Sequence, residues 1–312
     1  NNKKGPKPDN FFDLVRKGDL VTLSNSESNQ RIIQIPSAEA AFVSMNPKNG
    51  HIMAYIGGTN FLKTKFDRVR QSFPQTGSSF KPFIYASAIS RGYNASSLIN
   101  DAPIIFEDEN LEDYWRPENY TKKFYGLTRL REALVQSINI VSIKLLRNIG
   151  IENVRDDLQA FGFEKRRLPS DLSLALGSSS FSPIEMTRAF SILVNEGEIQ
   201  EPVFISRVED RNGNIIYEHQ SFNDDETEDN INFPWVNNEK NIKPIQLING
   251  VGSVEGFDPR STYIVKDILR EAMQRGSNRR RTESISRKDF GGKTGTTNDS
   301  ISTWFSGFHE DL

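Results

Sequence analysis

Thr76-Gly77-Ser78-Ser79-Phe80-Lys81-Pro82-Phe83 is the stretch from which the rest of this 312-residue chain can be read. Pro82 has no N–H to donate, so a helix tolerates it only in the first turn, where those donors are unpaired anyway. The residues after it, Phe83-Ile84-Tyr85-Ala86-Ser87-Ala88-Ile89, have helical character, and Gly92 offers a stop. A helix is therefore expected to begin at about Ser78. That start puts the Ser78 hydroxyl at the positive end of the dipole and Lys81 one turn later on the same face. A serine beside an amine at a helix N-terminus can become an alkoxide nucleophile without histidine. Ser79, its neighbour, has no lysine three residues on. Taken alone, the pair also reads as an N-cap serine followed by a solvated lysine.

Composition narrows the chemistry around that stretch. The chain has no cysteine, which excludes thiol catalysis, disulfides and cysteine-held metals. Its three histidines, His51, His219 and His309, fit no metal-ligand spacing, so no metal or other cofactor is expected. No Gly-x-Ser-x-Gly elbow supports a Ser-His-Asp triad, although spacing alone does not exclude one. A net charge of −2 gives no reason to expect a nucleic-acid partner. The basic run Arg279-Arg280-Arg281 and the acidic run Asn223-Asp224-Asp225-Glu226-Thr227-Glu228-Asp229 read as solvated loops. No apolar run is long enough to span a bilayer, the N-terminus is not a signal peptide, and the chain reads as a piece of a longer protein.

Outward from the helix at Ser78, the elements alternate. Leu20–Leu23 and Arg31–Ile35 read as two strands of a small β module that covers residues 1–36. Ala40–Met45 and His51–Ile56, joined by Asn46-Pro47-Lys48-Asn49-Gly50, predict a hairpin. Residues 93–127 look irregular, with Thr128 as a helix cap. Helical stretches follow around Leu130–Leu134, Ile140–Leu146 and Ile151–Phe161. Ser182-Pro183-Ile184-Glu185 predicts a helix start with cap, N1 proline and capping-box glutamate. A hairpin over Val203–Val208 and Ile215–Glu218, a polar loop over 219–255 and a helix opened by Asp258-Pro259 come next. Two last strands, Asp289–Thr297 and Thr303–Phe308, are joined by Asn298-Asp299-Ser300. Strands at both ends with helices between predict an α+β fold, an antiparallel sheet flanked by helices, over residues 37–312.

Three short motifs fall on these elements. Ser78-x-x-Lys81 opens a helix, Ser137-x-Asn139 sits at a junction of two helical stretches, and Lys293-Thr294-Gly295 lies on a strand. Ser-x-Asn recurs at Ser44 and Ser221, so Ser137 is singled out by its place between the other two motifs. Ser-x-x-Lys, Ser-Asp-Asn and Lys-Thr-Gly are the known motif set of penicillin-binding proteins and class A β-lactamases. Gln75–Phe83 resembles the active-site segment of class A, bifunctional penicillin-binding proteins of the 1A type. The likeness continues through Trp115-Arg116-Pro117-Glu118-Asn119, Arg131–Asn139, Leu174-Ala175-Leu176-Gly177, Gln274-Arg275-Gly276 and Gly291–Asp299, and covers roughly residues 38–312. Residues 1–36 are similar to the tail of the small, OB-like β domain inserted before the transpeptidase domain of such proteins.

That resemblance implies the penicillin-binding/serine β-lactamase-like fold and a D,D-transpeptidase that cross-links peptidoglycan stem peptides and is acylated by β-lactams. In that scheme Ser78 is the nucleophile and Lys81 its base, Ser137 relays the proton and Asn139 holds Lys81 or substrate. Lys293 supplies a second cation, Thr294 and Thr296 hold the substrate carboxylate, and Gly295 leaves room for substrate along the strand. The backbone N–H groups of Ser78 and Thr296 form the oxyanion hole by the same analogy, and Trp115 lines either the acceptor side of the cleft or a packed loop. It also implies a periplasmic location, an anchor to the inner membrane and possible oligomers, with the anchor, a glycosyltransferase domain, and the last strand and helix of the fold outside this chain. Three alternatives stay open at this point: a D,D-carboxypeptidase, a β-lactamase-like hydrolase and a penicillin-binding sensor without turnover. Against the hydrolase, position 138 is Ile where those enzymes carry Asp, and no Glu-x-x-Leu-Asn-like segment follows.

Overall fold

A computed structural model describes residues 9–26, 29–33, 38–62, 64–105, 115–219, 256–276, 279, 289–297 and 301–309. The expected turn at 298–300, the last two residues of the expected strand Arg31–Ile35, the acidic run at 223–229, Arg280-Arg281, and all but the first residue of the 219–255 loop lie outside the described residues. The chain divides into two compact units, 1–40 and 41–312.

In the first unit, β1 (Thr22–Ser26) pairs antiparallel with β2 (Asn29–Ile33), Thr22 opposite Ile33 and Ser26 opposite Asn29. The ladder extends past the expected strands into Ser24-Asn25-Ser26, where backbone pairing rather than apolar patterning makes the strand.

The second unit begins with the expected hairpin, β3 (Phe42–Met45) and β4 (Ile52–Ile56), bulged between Ser44 and Met45. Helix α1 (Lys81–Ser90) follows a 3-10 turn, Gly77–Phe80. The helix was expected from about Ser78, and the α ladder instead opens three residues later. Pro82 sits at its first turn and cannot donate to an earlier carbonyl, so the preceding turn closes by the shorter Lys81 N–H to Ser78 C=O bond.

Residues 93–127 are not irregular throughout. β5 (Leu98–Asp101) pairs antiparallel with β6 (Gly126–Arg129), so Thr128 lies in a strand, and α2 (Leu130–Val135) starts after Arg129. Then come α3 (Asn139–Ile149), α4 (Ile151–Asp157) and α5 (Pro183–Val194), the last with the expected reciprocal capping box between Ser182 and Glu185. β7 (Arg207–Glu209) and β8 (Ile215–Glu218) form a shorter hairpin than expected. Val203 makes an isolated parallel bridge to His51 instead of extending it. α6 (Pro259–Arg275), capped by the Asp258 carboxylate, precedes β9 (Gly291–Thr296) and β10 (Thr303–Phe308), which pair in register from Gly291–Phe308 to Thr296–Thr303.

The class is α+β, as expected. Among the described residues each ladder joins strands consecutive in the chain, rather than one sheet assembled from distant segments. The hairpins are brought together by helices: β3 and β10 both pack on α5.

Helix α1 is the centre of this unit. Every residue from Lys81 to Ile89 is buried, so the helix is enclosed on all sides by α2, α3, α4 and α6. Its first turn carries Phe80 and Phe83 into a cluster of rings from Phe161, Phe163, Phe181 and Phe190, with centroids 5.0–6.0 Å from theirs. The far end is tied down by Arg91, which grips both oxygens of Asp157 at 2.7 Å, while the Ser87 hydroxyl donates to the same carboxylate at 2.6 Å.

Candidate active site

The turn that carries Ser78 is wedged between two strips of backbone. On one side, the Thr76 N–H donates to Ser179 C=O at 3.0 Å and the Gly77 N–H to Gly177 C=O at 2.9 Å. Gly177, in the left-handed region at φ +74°, has no room for a side chain: a Cβ there would lie 1.9 Å from the Gly77 carbonyl oxygen. On the other side lies β9. A Cβ on Gly295 would lie 2.3 Å from the Thr76 carbonyl oxygen and 3.0 Å from the nitrogen of Ser79. The bare backbone of Gly295 thus admits the serine turn itself, whereas room for substrate had been expected of it.

β10 adds two further ties to this turn. The Trp304 indole N–H donates to Gln75 C=O at 2.9 Å, and the Ser79 and Ser306 hydroxyls share a hydrogen bond of 2.9 Å. Ser79 is thus buried and occupied as a structural serine, and Ser78 is the half-buried one of the pair.

Lys81 has none of its surface exposed. Its Nζ donates to the Ser137 carbonyl at 2.8 Å, to the Asn139 Oδ1 at 2.7 Å and to the Ser137 Oγ at 3.4 Å. Two motifs nearly sixty residues apart therefore meet on one lysine nitrogen. No hydrogen bond joins Lys81 to the Ser78 hydroxyl among the described residues; the lysine is turned toward the α2–α3 junction. Burial holds Lys81 well below the ordinary lysine range, and the positive charge of Lys293 pushes it further in the same direction.

Lys293 is itself only 3% exposed and donates to the Thr294 carbonyl at 2.8 Å. Burial lowers it from 10.5 to about 7. Farther along β9, Thr294 is half-buried and Thr296 exposed. The Thr296 backbone abuts the serine turn, for a Cβ on Gly77 would lie 3.3 Å from the Thr296 nitrogen. The N–H groups named as an oxyanion hole thus belong to neighbouring strips of backbone.

Ser137 is a non-glycine residue in the left-handed region, φ 57°. Such a conformation persists only where the surroundings over-determine it, and here the chain must leave α2 and enter α3 within three residues. That junction is braced from outside. Gly276, after α6, is pressed so close to α2 that a Cβ would lie 2.5 Å from the Val135 carbonyl oxygen. Arg131 donates to Glu271 at 2.6 Å and Asp267 at 2.7 Å, and Arg275 bridges to Glu132 at 2.7 Å. These ion pairs are partly exposed, so each contributes at most about 1 kcal/mol. They explain why Arg131-Glu132 and Arg275-Gly276 belong to one pattern in the sequence.

Of the other residues named from sequence, Trp115 is half-buried and packs against the hydrophobic core, the packing alternative for it. Sequence reasoning assigned no role to Asp101 and none to Asn119 by itself. The structure joins them to Asn139: Asn119 Oδ1 accepts the N–H of Asn139 at 3.0 Å, and Asn119 Nδ2 donates to both Asp101 oxygens at 2.9 Å.

Comparison with known proteins agrees with this geometry. The family model described as the penicillin binding protein transpeptidase domain matches residues 40–310. Penicillin-binding protein 1A of Pseudomonas aeruginosa is 38% identical over all of this chain, which spans 40% of that relative's length. The crystal structure of penicillin-binding protein 1A from Haemophilus influenzae superposes with a TM-score of 0.77 at 32% identity, over 92% of this chain and 44% of that one. The PonA1 protein of Mycobacterium tuberculosis in complex with penicillin V shares the fold at 20% identity, with a TM-score of 0.64 over 88% of this chain and 68% of that one. The serine turn, the buried lysine, the α2–α3 junction and the Lys-Thr-Gly strand are thus parts of one recognised domain, and the chain belongs to the penicillin-binding protein transpeptidase family.

Proposed function

We propose that this domain is a D,D-transpeptidase that cross-links peptidoglycan stem peptides through an acyl-enzyme on Ser78, and that β-lactams acylate the same serine. The observation that carries the reading is the fully buried Lys81, one turn after Ser78, with its Nζ hydrogen-bonded at 2.8 Å and 2.7 Å to Ser137 and Asn139. A neutral amine has two N–H bonds and one lone pair. With both N–H bonds taken by the Ser137 carbonyl and Asn139 Oδ1, the lone pair is left for a hydroxyl proton.

The steps follow from that arrangement. Ser78 Oγ attacks the carbonyl of the penultimate D-alanine as its proton passes to Lys81 Nζ. The developing oxyanion takes hydrogen bonds from the N–H groups of Ser78 and Thr296, a donor pair whose members are each worth about 3–4 kcal/mol in the barrier. The proton moves through Ser137 Oγ to the nitrogen of the departing D-alanine, which leaves an ester on Ser78. An acceptor amine then attacks the ester, its proton returns to Ser78 Oγ through Lys81, and a cross-link replaces the bond first broken. Lys293, when protonated, attracts the terminal carboxylate of the donor, with the Thr294 and Thr296 hydroxyls beside it.

Residues 1–36 we read as the tail of a small β domain that precedes the transpeptidase domain at 37–312. Like its family, we infer, the parent protein works in the periplasm from an anchor in the inner membrane and carries a glycosyltransferase domain elsewhere.

A fluorescent penicillin tests the nucleophile. The chain should label in a 1:1 adduct, and Ser78→Ala should not label at all; a labelled Ser78→Ala would overturn the assignment. Supplying a stem peptide with an amine acceptor should then yield the cross-linked product. Release of D-alanine without cross-link would make the enzyme a carboxypeptidase instead.

A further inference from the structure

We propose that Asn119, held by the buried carboxylate of Asp101, is a positioning residue that fixes Asn139 and thereby the acceptor of Lys81. The proposal rests on the reading of Ser78 and Lys81 given above.

Helix α3 opens at Asn139 without a local cap, because its N-cap position is Ile138, which has no side-chain acceptor. The cap arrives from twenty residues earlier in the chain. Asn119 Oδ1 accepts the N–H of Asn139 at 3.0 Å and of Ile140 at 3.2 Å. An asparagine amide could present either end to these donors, and only the oxygen serves. Two acceptors decide which end it is, the Lys123 carbonyl, which takes Nδ2 at 2.8 Å, and the carboxylate of Asp101. Its carboxylate is fully buried, accepts the Tyr125 N–H at 2.9 Å, and takes Asn119 Nδ2 on both oxygens at 2.9 Å. A carboxylate accepts and never donates, so it holds the NH₂ end and turns the oxygen to the helix. The Lys144 ammonium donates to the carbonyls of Asn100 and Ala102 at 2.8 Å and 3.0 Å and so holds the backbone on either side of Asp101.

The same short segment sets the Asn139 side chain. The Glu118 carbonyl accepts Asn139 Nδ2 at 2.9 Å, which leaves Oδ1 to face Lys81. Residues 118 and 119 thus fix backbone and side chain of Asn139 together, and the chain of contacts runs Asp101, Asn119, Asn139, Lys81 with every donor matched to an acceptor. Asp101 and Asn119 touch neither Ser78 nor the reacting atoms. Their effect is on the placement of the base.

The test is an exchange of the two side chains in the full chain, read by the acylation rate constant and the initial binding constant for a fluorescent penicillin. Asn119→Asp sets two carboxylates against each other and should slow acylation by about 10- to 100-fold, with initial binding unchanged. The double variant Asp101→Asn/Asn119→Asp restores one donor facing one carboxylate, although the Lys123 carbonyl then loses its donor, and should recover about tenfold of the lost rate. A wild-type rate for Asn119→Asp, or a folded double variant as slow as the single one, overturns the proposal. Should Asn119→Asp fail to fold, the isosteric Asp101→Asn decides: it removes the carboxylate and leaves only the Lys123 carbonyl to hold the amide, so it should acylate several-fold more slowly at unchanged binding, and a wild-type rate contradicts the proposal. Ser78→Ala, run beside these, separates the two readings. If it labels, the nucleophile assignment fails; if it is silent while the exchange has no effect, only the positioning role fails.

Discussion

Phe80 and Lys81 are consecutive, both are fully buried, and their surroundings are opposite. Phe80 enters a cluster of aromatic rings, stacked on Phe181 at 6.0 Å and tilted against Phe163 at 5.1 Å. Lys81 enters a pocket of carbonyl, amide and hydroxyl oxygens from the α2–α3 junction, near a second buried lysine. One side of the turn contributes stability by removing apolar area from water, about 25 cal/mol per Å². The other opposes it, because an ammonium without a carboxylate partner must lose its hydration or its proton. The aromatic side anchors the turn firmly enough that the polar side can hold a group that, on stability alone, would be something else.

The comparison can be broken from either side. The largest effect is expected at Lys81. Lys81→Met should lower the acylation rate by about 10²- to 10⁴-fold, the worth of a general base, while raising the melting temperature. The sign of the stability change follows from linkage. Lys81 is held well below the usual 10.5, so between its folded value and 10.5 the unfolded chain binds more protons and stability rises with pH. The gain from Lys81→Met should therefore be present at neutral pH and shrink as pH approaches 10.5. A variant that loses both activity and stability would contradict the contrast.

Phe83→Ala attacks the other side. Phe83 is fully buried with rings of Phe161, Phe163 and Phe190 at 5.0–5.2 Å, and its truncation should cost about 3–5 kcal/mol in urea unfolding. Below its transition that variant should still acylate within a few-fold of wild type, since Lys81 Nζ is held by Ser137 and Asn139. Gly295→Ala tests the boundary between the two sides. Its Cβ would meet the Thr76 carbonyl at 2.3 Å, so β9 or the serine turn must shift. An acylation rate lower by about 10-fold or more, with a stability loss of about 1–3 kcal/mol, is expected from such a displacement. An active Gly295→Ala would show that the close approach does not matter for chemistry.

Much of this was legible in the sequence where local chemistry carries the signal. The capping box at Ser182 and Glu185, the hairpin around Asn46–Gly50 and the proline-led start of α1 all formed where their residues said they would, within a turn. The motif set named Ser78, Lys81, Ser137, Asn139 and Lys293, and the fold joins Lys81 to Ser137 and Asn139 by hydrogen bonds and to Lys293 through its charge. What escaped were relations with no local signature. β5 and β6 are four residues each, too short for alternation to stand out, and residues 102–125 separate them in the chain. Asn119 caps a helix twenty residues ahead, and Asp101 orients Asn119 from eighteen residues behind, so neither has a neighbour in sequence that reveals its task. Gly295 was legible as a glycine on a strand, but not which partner needs the space: that depends on the serine turn lying against β9.

The central claim is that Lys81 is a neutral amine at the pH where Ser78 reacts, and the pH dependence of acylation tests it most directly. With a β-lactam as substrate, the account predicts an acylation rate that stops rising well below pH 10.5, as expected for a lysine held well below its ordinary range by burial and by the charge of Lys293. A rate that climbs about tenfold per pH unit from neutrality up to about pH 10 would report an ordinary lysine and contradict the account.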